Sequence, residues 1–231
     1  MSNTPFIIPV FIPQAGCPHQ CVFCNQETIT GVSAEKNWRL AQEQARQTVR
    51  NFLAFKRDTN RKVELAFFGG NFLGISPYQI AWYLQFAQNL YQTGQIDALR
   101  FSTRPDTITR QNLAMFQGLP VSVIELGAQS MHDDVLQKSG RGHFVSDTDA
   151  AAALLHEFHF DMGIQLMVGL PGDCLPRVLE TGHRVVALRP VCVRIYPTLV
   201  LQKSPLAQMY QNGHYKPLTL EQAVNISARL Y

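Results

Sequence analysis

Three cysteines near the amino terminus, Cys17, Cys21 and Cys24, have the spacing C-x3-C-x2-C. Thiolates this close together in one loop can surround a single metal centre. A [4Fe–4S] cluster ordinarily takes four cysteines, so three of them leave one iron open to a ligand from outside the protein. An open metal position is typical of a catalytic centre rather than a structural one.

A structural zinc ion is the main alternative for this loop. Such sites use four ligands, commonly as two well-separated pairs, whereas here there is one tight group of three. His19 could supply a fourth ligand, but it lies between two of the cysteines. Three unrelated core cysteines are the remaining interpretation. The isolated Cys174 and Cys192 are interpreted as small, partly buried apolar residues.

The elements that position the cysteine loop alternate between strands and helices. Six β-like runs are predicted, at residues 7–12, 63–68, 98–102, 121–126, 163–168 and 191–196. Segments with helical spacing of apolar residues alternate with them. This alternation predicts an α/β fold with a parallel sheet and helical crossovers. Six units favour an open, partial (β/α)6 TIM-like barrel, with its chemistry where strands end and the following loops begin.

Helix boundaries follow from capping residues and proline. A helix is predicted over residues 110–117, and the next opens with Ser146 as its N-cap and an acid three residues on. Prolines then interrupt a loop-rich stretch after residue 196, with a short helix near 206–211. A last helix starts near Leu220 and is still running at Tyr231. We expect a core over residues 1–200 and the start of a truncated C-terminal extension over 201–231.

Composition narrows the class of protein. The 231 residues are 46% hydrophobic and 16% charged, which suits one large α/β domain and argues against disorder or a coiled coil. The longest apolar run falls short of a membrane span, so we expect no membrane partner. An odd number of cysteines without a signal peptide indicates reduced thiols in the cytoplasm. The net charge of +3 permits a nucleic-acid partner without arguing for one.

The cysteine loop, with the aromatic Phe23 just before its third cysteine, resembles that of the radical S-adenosylmethionine (SAM) superfamily. Further motifs occur in order over nearly the whole chain: FGG at 68–70, STRPD at 102–106, ELGAQS at 125–130, KSGRGH at 138–143 and GLPG at 169–172. The series resembles the subgroup that contains the catalytic subunit of Elongator and its shorter bacterial relatives. Oxygen-independent coproporphyrinogen III oxidases are more distant relatives.

The resemblance implies a [4Fe–4S] cluster on the three cysteines, with its open iron chelated by the amino and carboxylate groups of SAM. An electron from a donor such as flavodoxin or ferredoxin would pass through the cluster and cleave SAM. The 5′-deoxyadenosyl radical released would then abstract hydrogen from a substrate. These are properties of the family that this sequence resembles.

The resemblance also assigns residues to SAM. Gly69 and Gly70 would hold its amino group through backbone carbonyls, together with the neutral amide of Asn71, which stands where many members have an acid. Contacts to the ribose and carboxylate are implied for four side chains at strand ends and in nearby loops: Ser102, Gln129, Arg141 and Gln165. Phe23 and the loop that begins at Gly169 would enclose the adenine. Independently of the family, a guanidinium can fork onto a carboxylate, and a buried glutamine needs a partner.

The substrate is expected at the barrel mouth, near the strand-end residues Arg104, Arg194 and Tyr196. The resemblance implies modification of tRNA, although 231 residues leave no room for the acetyltransferase domain of Elongator-like relatives. The alternative is a small-molecule radical oxidoreductase of the coproporphyrinogen oxidase type. The 16-residue lead before the first cysteine argues against that alternative, as does the absence of a further cysteine after Cys24. His143 is interpreted as a loop or surface residue.

Overall fold

The computed structural model describes residues 4–12, 16–26, 28, 38–56 and 60–231. Its strands are β1 (Phe6–Phe11), β2 (Val63–Phe68), β3 (Ala98–Thr103), β4 (Val121–Gln129), β5 (Met162–Val168) and β6 (Cys192–Pro197). They form one sheet in the order β1-β2-β3-β4-β5-β6, and every neighbouring pair is parallel. Within the described chain β1 and β6 lie at opposite edges, so the barrel is open. The predicted partial (β/α)6 fold is confirmed.

Helices connect the parallel strands, as a parallel sheet requires, and further helices follow β6. They are α1 (Trp38–Phe55), α2 (Pro77–Gln92), α3 (Arg110–Ala114), α4 (Asp133–Lys138), α5 (Val145–Glu157), α6 (Leu175–Ala187), α7 (Pro205–Gln211) and α8 (Leu220–Leu230). Within the described residues, no helix combines the length and the apolarity needed to cross a lipid bilayer.

The hydrophobic core lies between the helices and one face of the sheet. Successive strand residues point to opposite faces, so Phe67 faces the helices while Glu64 and Phe68 face the concave side of the half-barrel. Phe67 stacks on Phe72 with ring centroids 5.0 Å apart. A second stacked pair, Phe101 and Phe116, has a separation of 4.8 Å. The helix-facing core is therefore apolar and aromatic, which leaves the concave face for polar residues.

Strand boundaries were predicted within one residue for five strands, and the fourth is longer than predicted. β4 was expected to end at Leu126 but continues to Gln129. Its register with β5 shifts between Leu126 and Gln129. Gln129 also has a positive φ of 69°. The strand therefore passes through an irregularity that an apolar run does not reveal, and it delivers Gln129 to the carboxyl edge.

Two helix predictions are corrected. The helix predicted over 110–117 ends at Ala114, followed by turns. The N-cap prediction for Ser146 is wrong, because α5 already begins at Val145. The Asp147 carboxylate accepts a hydrogen bond from the backbone N–H of Phe144 at 2.7 Å. It thus supplies an acceptor to one of the backbone donors at the helix start that have no partner within the helix. α4 was not predicted, since six residues are too short to show helical periodicity.

The chain after β6 returns to the core. α7 and α8 begin within a residue of their predicted starts. α8 packs closely on α6: a Cβ added at Gly182 would lie 2.7 Å from the Leu230 side chain. The division between residues 1–200 and 201–231 stays a prediction.

Candidate functional site

The cysteine loop leaves β1 at the carboxyl edge of the sheet. Cys21 is buried, Cys24 is half-buried and Cys17 is exposed. A turn joins two of them, because the backbone N–H of Cys24 donates to the carbonyl of Cys21 at 3.0 Å. Among the described residues, no three His, Cys, Asp or Glu side chains converge on the position of a single metal ion. A [4Fe–4S] cluster makes a different demand, because each thiolate binds a separate iron of the cube.

The protein environment raises the pKa of the Cys17 and Cys24 thiols when no metal is bound. Burial raises the pKa of Cys24 to about 11, and negative charge on Cys21 and Cys17 contributes to that rise. Burial also raises the pKa of Cys17, with a further contribution from Cys21. The nearby Arg141 acts in the opposite direction on both. The three sulfurs are thus close enough to interact, and a metal centre would have to displace their protons.

Asn71 fastens the start of this loop to the sheet. Its Nδ2 donates to the carbonyl of Gly16 at 2.8 Å. Its Oδ1 accepts from Thr103 Oγ1 at 2.7 Å and from the backbone N–H of Arg104 at 3.1 Å. The backbone of Asn71 also lowers the pKa of Cys17, against the larger rise that burial causes. The side-chain amide is therefore engaged by protein groups, which favours a positioning role over the expected contact with the SAM amino group.

Close backbone packing surrounds the Asn71 contact. A Cβ at Gly16, where φ is +72°, would lie 2.3 Å from the Asn71 carbonyl oxygen. Gly69 follows β2 with φ +95° and lies against Phe11 of β1 and against Ile12, directly after that strand. Gly70 continues the same loop. Glycine is needed at position 16, because a side chain there would combine backbone strain with a clash. The double glycine therefore lies beside the cysteine loop, as the sequence predicts.

Arg141 reaches the cysteine loop from the opposite side. The guanidinium is buried, and its Nη1 donates to Cys21 Sγ at 3.2 Å. Its Nη2 donates to the carbonyl of Gly127. A Cβ at Gly127 would contact both Arg141 Nη2 and Gln129 Nε2, so the absence of a side chain there makes room for both groups. The structure thereby brings together two of the predicted SAM residues and a predicted cluster ligand.

Two buried polar atoms of this group have no hydrogen-bond partner. They are Arg141 Nε and Gln129 Oε1. Buried polar groups are nearly always paired, so unpaired ones in this position point to a missing polar ligand. A ligand with a carboxylate and hydroxyl groups would supply an acceptor for the first atom and a donor for the second. Together with three loop thiols, these residues fit a cluster and SAM.

Arg104 is placed differently from the prediction. Its guanidinium is buried and pairs with Asp106 at 2.9 Å. It also donates from Nη1 to the carbonyl of Arg141 at 2.5 Å. This placement favours a role in holding the loop that carries Arg141 over direct contact with substrate.

His143 lies in a loop, which is one of the two placements expected for it, but it is not at the surface. Its side chain is only 3% exposed. The pKa of His143 is lowered to about 3. Burial is the largest cause, and the positive charges of Arg141 and Arg104 add to it. The neighbouring Gly142 touches the His19 ring, where a Cβ would lie 2.1 Å away. His143 is therefore a neutral residue packed behind the arginines, and burial of that kind is not visible in the motif.

Ser102 and Gln165, both assigned to SAM by resemblance, are bonded to each other on the concave face. Gln165 Nε2 donates to Ser102 Oγ at 3.0 Å and to Glu125 Oε2 at 2.9 Å. These contacts give the amide nitrogen of the half-buried glutamine two acceptors without a ribose. A SAM contact for either residue stays a prediction.

Glu125 is the centre of a charged network that sequence reasoning missed. Its side chain is 1% exposed and lies 3.2 Å from Arg100 Nε and 3.0 Å from Arg194 Nη2. Arg100 Nη1 also lies 3.3 Å from Glu64 Oε2. Four predicted strands thus each place one charged residue on the concave face, and alternation along those strands is the signal that could have identified them.

Arg194 and Tyr196 lie at the outer end of this network, on the edge strand. The Arg194 guanidinium lies over the Phe68 ring, 5.2 Å from its centroid. Tyr196 is exposed. The two predicted substrate residues therefore lie at the open side of the half-barrel.

The loop after β5 begins at Gly169, which has φ +81°. The Tyr215 hydroxyl donates to the Gly169 carbonyl at 2.7 Å. Phe23, expected on the other side of the adenine, is half-buried in the cysteine loop. The Gly169 loop thus follows the fifth strand at the carboxyl edge, as the sequence predicts.

Comparison with known proteins gives matches over most of the chain. A family model described as the radical SAM superfamily matches residues 11–184. A model described as the Radical_SAM C-terminal domain matches residues 190–231. The tRNA uridine(34) acetyltransferase of Methanocaldococcus infernus is 26% identical, over 95% of this chain and 48% of its own length.

Two solved structures share the fold. The archaeal Elp3 of Methanocaldococcus infernus, with an N-terminal deletion, has a TM-score of 0.76 and 22% identity, covering 98% of this chain and 54% of its own. Coproporphyrinogen III oxidase (HemN) of Escherichia coli has a TM-score of 0.67 and 18% identity, covering 98% and 51%. This chain spans about half the length of these proteins.

Proposed function

The chain belongs to the radical SAM superfamily, and from this membership we propose that it cleaves SAM at a [4Fe–4S] cluster and uses the resulting radical in tRNA modification. The observation that supports the proposal best is the contact between Arg141 and Cys21, 3.2 Å apart, with a buried Arg141 Nε still unpaired. It joins a predicted cluster ligand to a predicted ligand of the SAM carboxylate.

Some residues of this chain would bind the cluster, and others would orient SAM. Cys17, Cys21 and Cys24 would hold the cluster, which with SAM supplies a 5′-deoxyadenosyl radical for hydrogen abstraction. Arg141 would orient the SAM carboxylate by a charge-assisted hydrogen bond. Gly69 would offer backbone carbonyls to the amino group.

Burial of this corner of the protein supports the same proposal. Cys21, Asn71, Gln129 and Arg141 all have buried side chains. A site that excludes water strengthens polar contacts to a ligand and protects a reactive species from solvent.

A tRNA substrate is favoured by the relatives rather than by the charge of the chain. The relative from Methanocaldococcus infernus is named for tRNA uridine(34), and it is similar over 95% of this chain. The likeness to coproporphyrinogen III oxidase, at 18% identity, carries the fold alone. The small-molecule alternative therefore has no specific observation in its favour.

Anaerobic reconstitution tests the cofactor chemistry. The reduced, reconstituted protein should contain about four irons per chain and release methionine and 5′-deoxyadenosine from SAM. Replacing Cys17, Cys21 or Cys24 by Ala should abolish iron loading, whereas Cys174→Ala and Cys192→Ala should not. Stable zinc binding with no iron loading would contradict the proposal.

Salt dependence tests the substrate class. Binding of tRNA neutralises phosphates and releases counterions, so its affinity should fall steeply between low and physiological salt. An anionic polymer such as heparin is the control, and Arg194→Ala should flatten the slope for tRNA. Equal affinity for tRNA and polymer at all salt concentrations would favour a small-molecule substrate.

A further inference from the structure

A segment beyond β6 holds two loops of the candidate SAM site at once. Residues 198–219, here named the C-terminal strap, run from the end of the sheet through α7 to the start of α8. Ser204 and Leu206 are fully buried, and Tyr215 is 9% exposed. The strap is thus packed into the protein and is able to fix the position of what it contacts.

The strap bonds the cysteine loop on both sides of Phe23. The backbone N–H of Leu206 donates to the Val22 carbonyl at 2.8 Å. Leu206 lies in the first turn of α7, where backbone donors have no acceptor within the helix. Asn25 Nδ2 donates to the carbonyl of Gln202 at 2.7 Å. Both bonds join residues more than 170 positions apart, so they can form only in the folded chain.

The strap also bonds the Gly169 loop. The Tyr215 hydroxyl donates to the Gly169 carbonyl at 2.7 Å. Leu218 packs directly on the same glycine, because a Cβ there would lie 2.7 Å from Leu218 Cδ1. The backbone N–H of Thr198 donates to the Val168 carbonyl at 2.9 Å. A left-handed glycine covered by a leucine and held by a tyrosine has little freedom to move.

We propose that the C-terminal strap sets the spacing between the two loops that enclose the adenine of SAM, and that Tyr215 is its positioning residue on the Gly169 side. The proposal rests on the proposed function and on the expectation from the family resemblance that the adenine lies between Phe23 and that loop. One segment bonded to both loops orders them before the ligand arrives. Loops that are already ordered lose little conformational entropy when SAM binds. The affinity for SAM should therefore depend on the strap.

Replacing Tyr215 by Phe keeps the ring and removes only the hydroxyl group that donates to Gly169. Tyr210 is the matched control, since it lies on the same strap and is 52% exposed. Equilibrium binding of SAM to the anaerobically reconstituted full chain is measured for both variants, together with iron content. We expect Tyr215→Phe to weaken SAM binding about threefold to tenfold at unchanged iron content, and Tyr210→Phe to match the wild type.

Hydrogen exchange supplies a readout that needs no cluster. In the metal-free protein, the amides of Gly169, Leu170, Gly172 and Asp173 should exchange faster in Tyr215→Phe, while those of β2 keep their protection. A local loosening of this kind separates positioning from a general loss of stability. Uniformly faster exchange through the chain, or no change at residues 169–173, would overturn the proposal.

A second variant tests the cysteine-loop side. Asn25→Asp loses the donor to Gln202 but keeps the Oδ1 that accepts from the backbone N–H of Thr28 at 3.1 Å. It should also weaken SAM binding at unchanged iron content. If the wild type binds SAM and both variants bind it equally well, the strap proposal fails alone. If the reconstituted wild type does not bind SAM, the proposed function fails and the strap proposal falls with it.

Discussion

Asn71 Nδ2 donates a hydrogen bond to the carbonyl oxygen of Gly16 across 2.8 Å, joining the turn after β2 to the residue that precedes the first cysteine. The same amide accepts from Thr103 and Arg104 at the end of β3. Three consecutive elements at the carboxyl edge are thus tied through one buried side chain. In this chain the loop position after the double glycine serves the geometry of the cysteine loop.

Asn71→Asp tests this relationship, because it exchanges the donor toward Gly16 for an acceptor. A carboxylate oxygen would face a carbonyl oxygen, leaving both buried and unpaired. Such a loss costs about 1–3 kcal/mol in the free energy of unfolding. We also expect iron loading to fall, since the start of the cysteine loop is released.

Denaturant unfolding and iron content after reconstitution measure the two effects. Asn89→Asp on the exposed face of α2 is the control, because Asn89 Oδ1 accepts from Gln85 and an aspartate keeps that acceptor. Wild-type stability together with wild-type iron loading in Asn71→Asp would refute the positioning role.

Arg141→Ala should weaken SAM binding. It removes a buried guanidinium that contacts Cys21 and Gly127, and a charge-assisted contact to a carboxylate contributes about 1.5–3 kcal/mol. Arg141→Lys keeps the charge but loses the fork, so its affinity should also fall. SAM affinity and iron content are measured in parallel.

Arg110→Ala is the matched arginine control for this experiment. Its ion pair with Glu157 is solvent-exposed, and exposed pairs contribute little to stability. SAM affinity of Arg141→Ala equal to that of Arg110→Ala would show that the Arg141 guanidinium serves the fold alone.

His143 should make stability depend on pH. Its folded pKa of about 3 lies below the ordinary value of 6.5, so between these values the unfolded chain binds a proton that the folded chain does not. Stability is therefore lost as the pH falls from about 6.5 toward 3. The slope is at most about 1.4 kcal/mol per pH unit.

Urea unfolding of the metal-free, reduced protein between pH 7 and pH 4.5 measures this dependence. His143→Gln should flatten the slope, whereas His214→Gln at an exposed position should leave it unchanged. Parallel curves for His143→Gln and the wild type would contradict the assignment.

The sequence predicted well those features that depend on residues close together along the chain. Strands such as β2 are short apolar runs, and parallel pairing follows from their alternation with helices. The three cysteines and the double glycine each occupy one loop, so their spacing is visible directly. The fold and the place of the site at the carboxyl edge were therefore predictable.

What it predicted poorly depends on contacts between distant residues. The partners of the Gln165 amide nitrogen, Ser102 and Glu125, lie 63 and 40 positions away and were not identified. Tyr215 was not identified at all, because its bond to Gly169 spans 46 positions. Contacts of this kind follow from strand register and from the return of the chain after β6, which no local pattern specifies.

Glu125→Gln should destabilise the protein, because it removes the negative charge shared by Arg100 and Arg194. Breaking a fully buried pair from one side costs about 3–5 kcal/mol. The loss here should be smaller, because Arg100 keeps Glu64 as a partner and Arg194 is 35% exposed. Glu43→Gln is the control, because Glu43 pairs with Arg50 on the exposed face of α1.

A double-mutant cycle assigns this loss to the ion pair. Arg194→Gln in the Glu125→Gln background removes the uncompensated charge as well, so the double variant should recover part of the lost free energy of unfolding. The coupling between neighbours in one network is about 0.5–3 kcal/mol. Denaturant unfolding of the four proteins measures it. A coupling of zero, with both single variants as stable as Glu43→Gln, would mean that the concave-face network does not hold Arg194 in place.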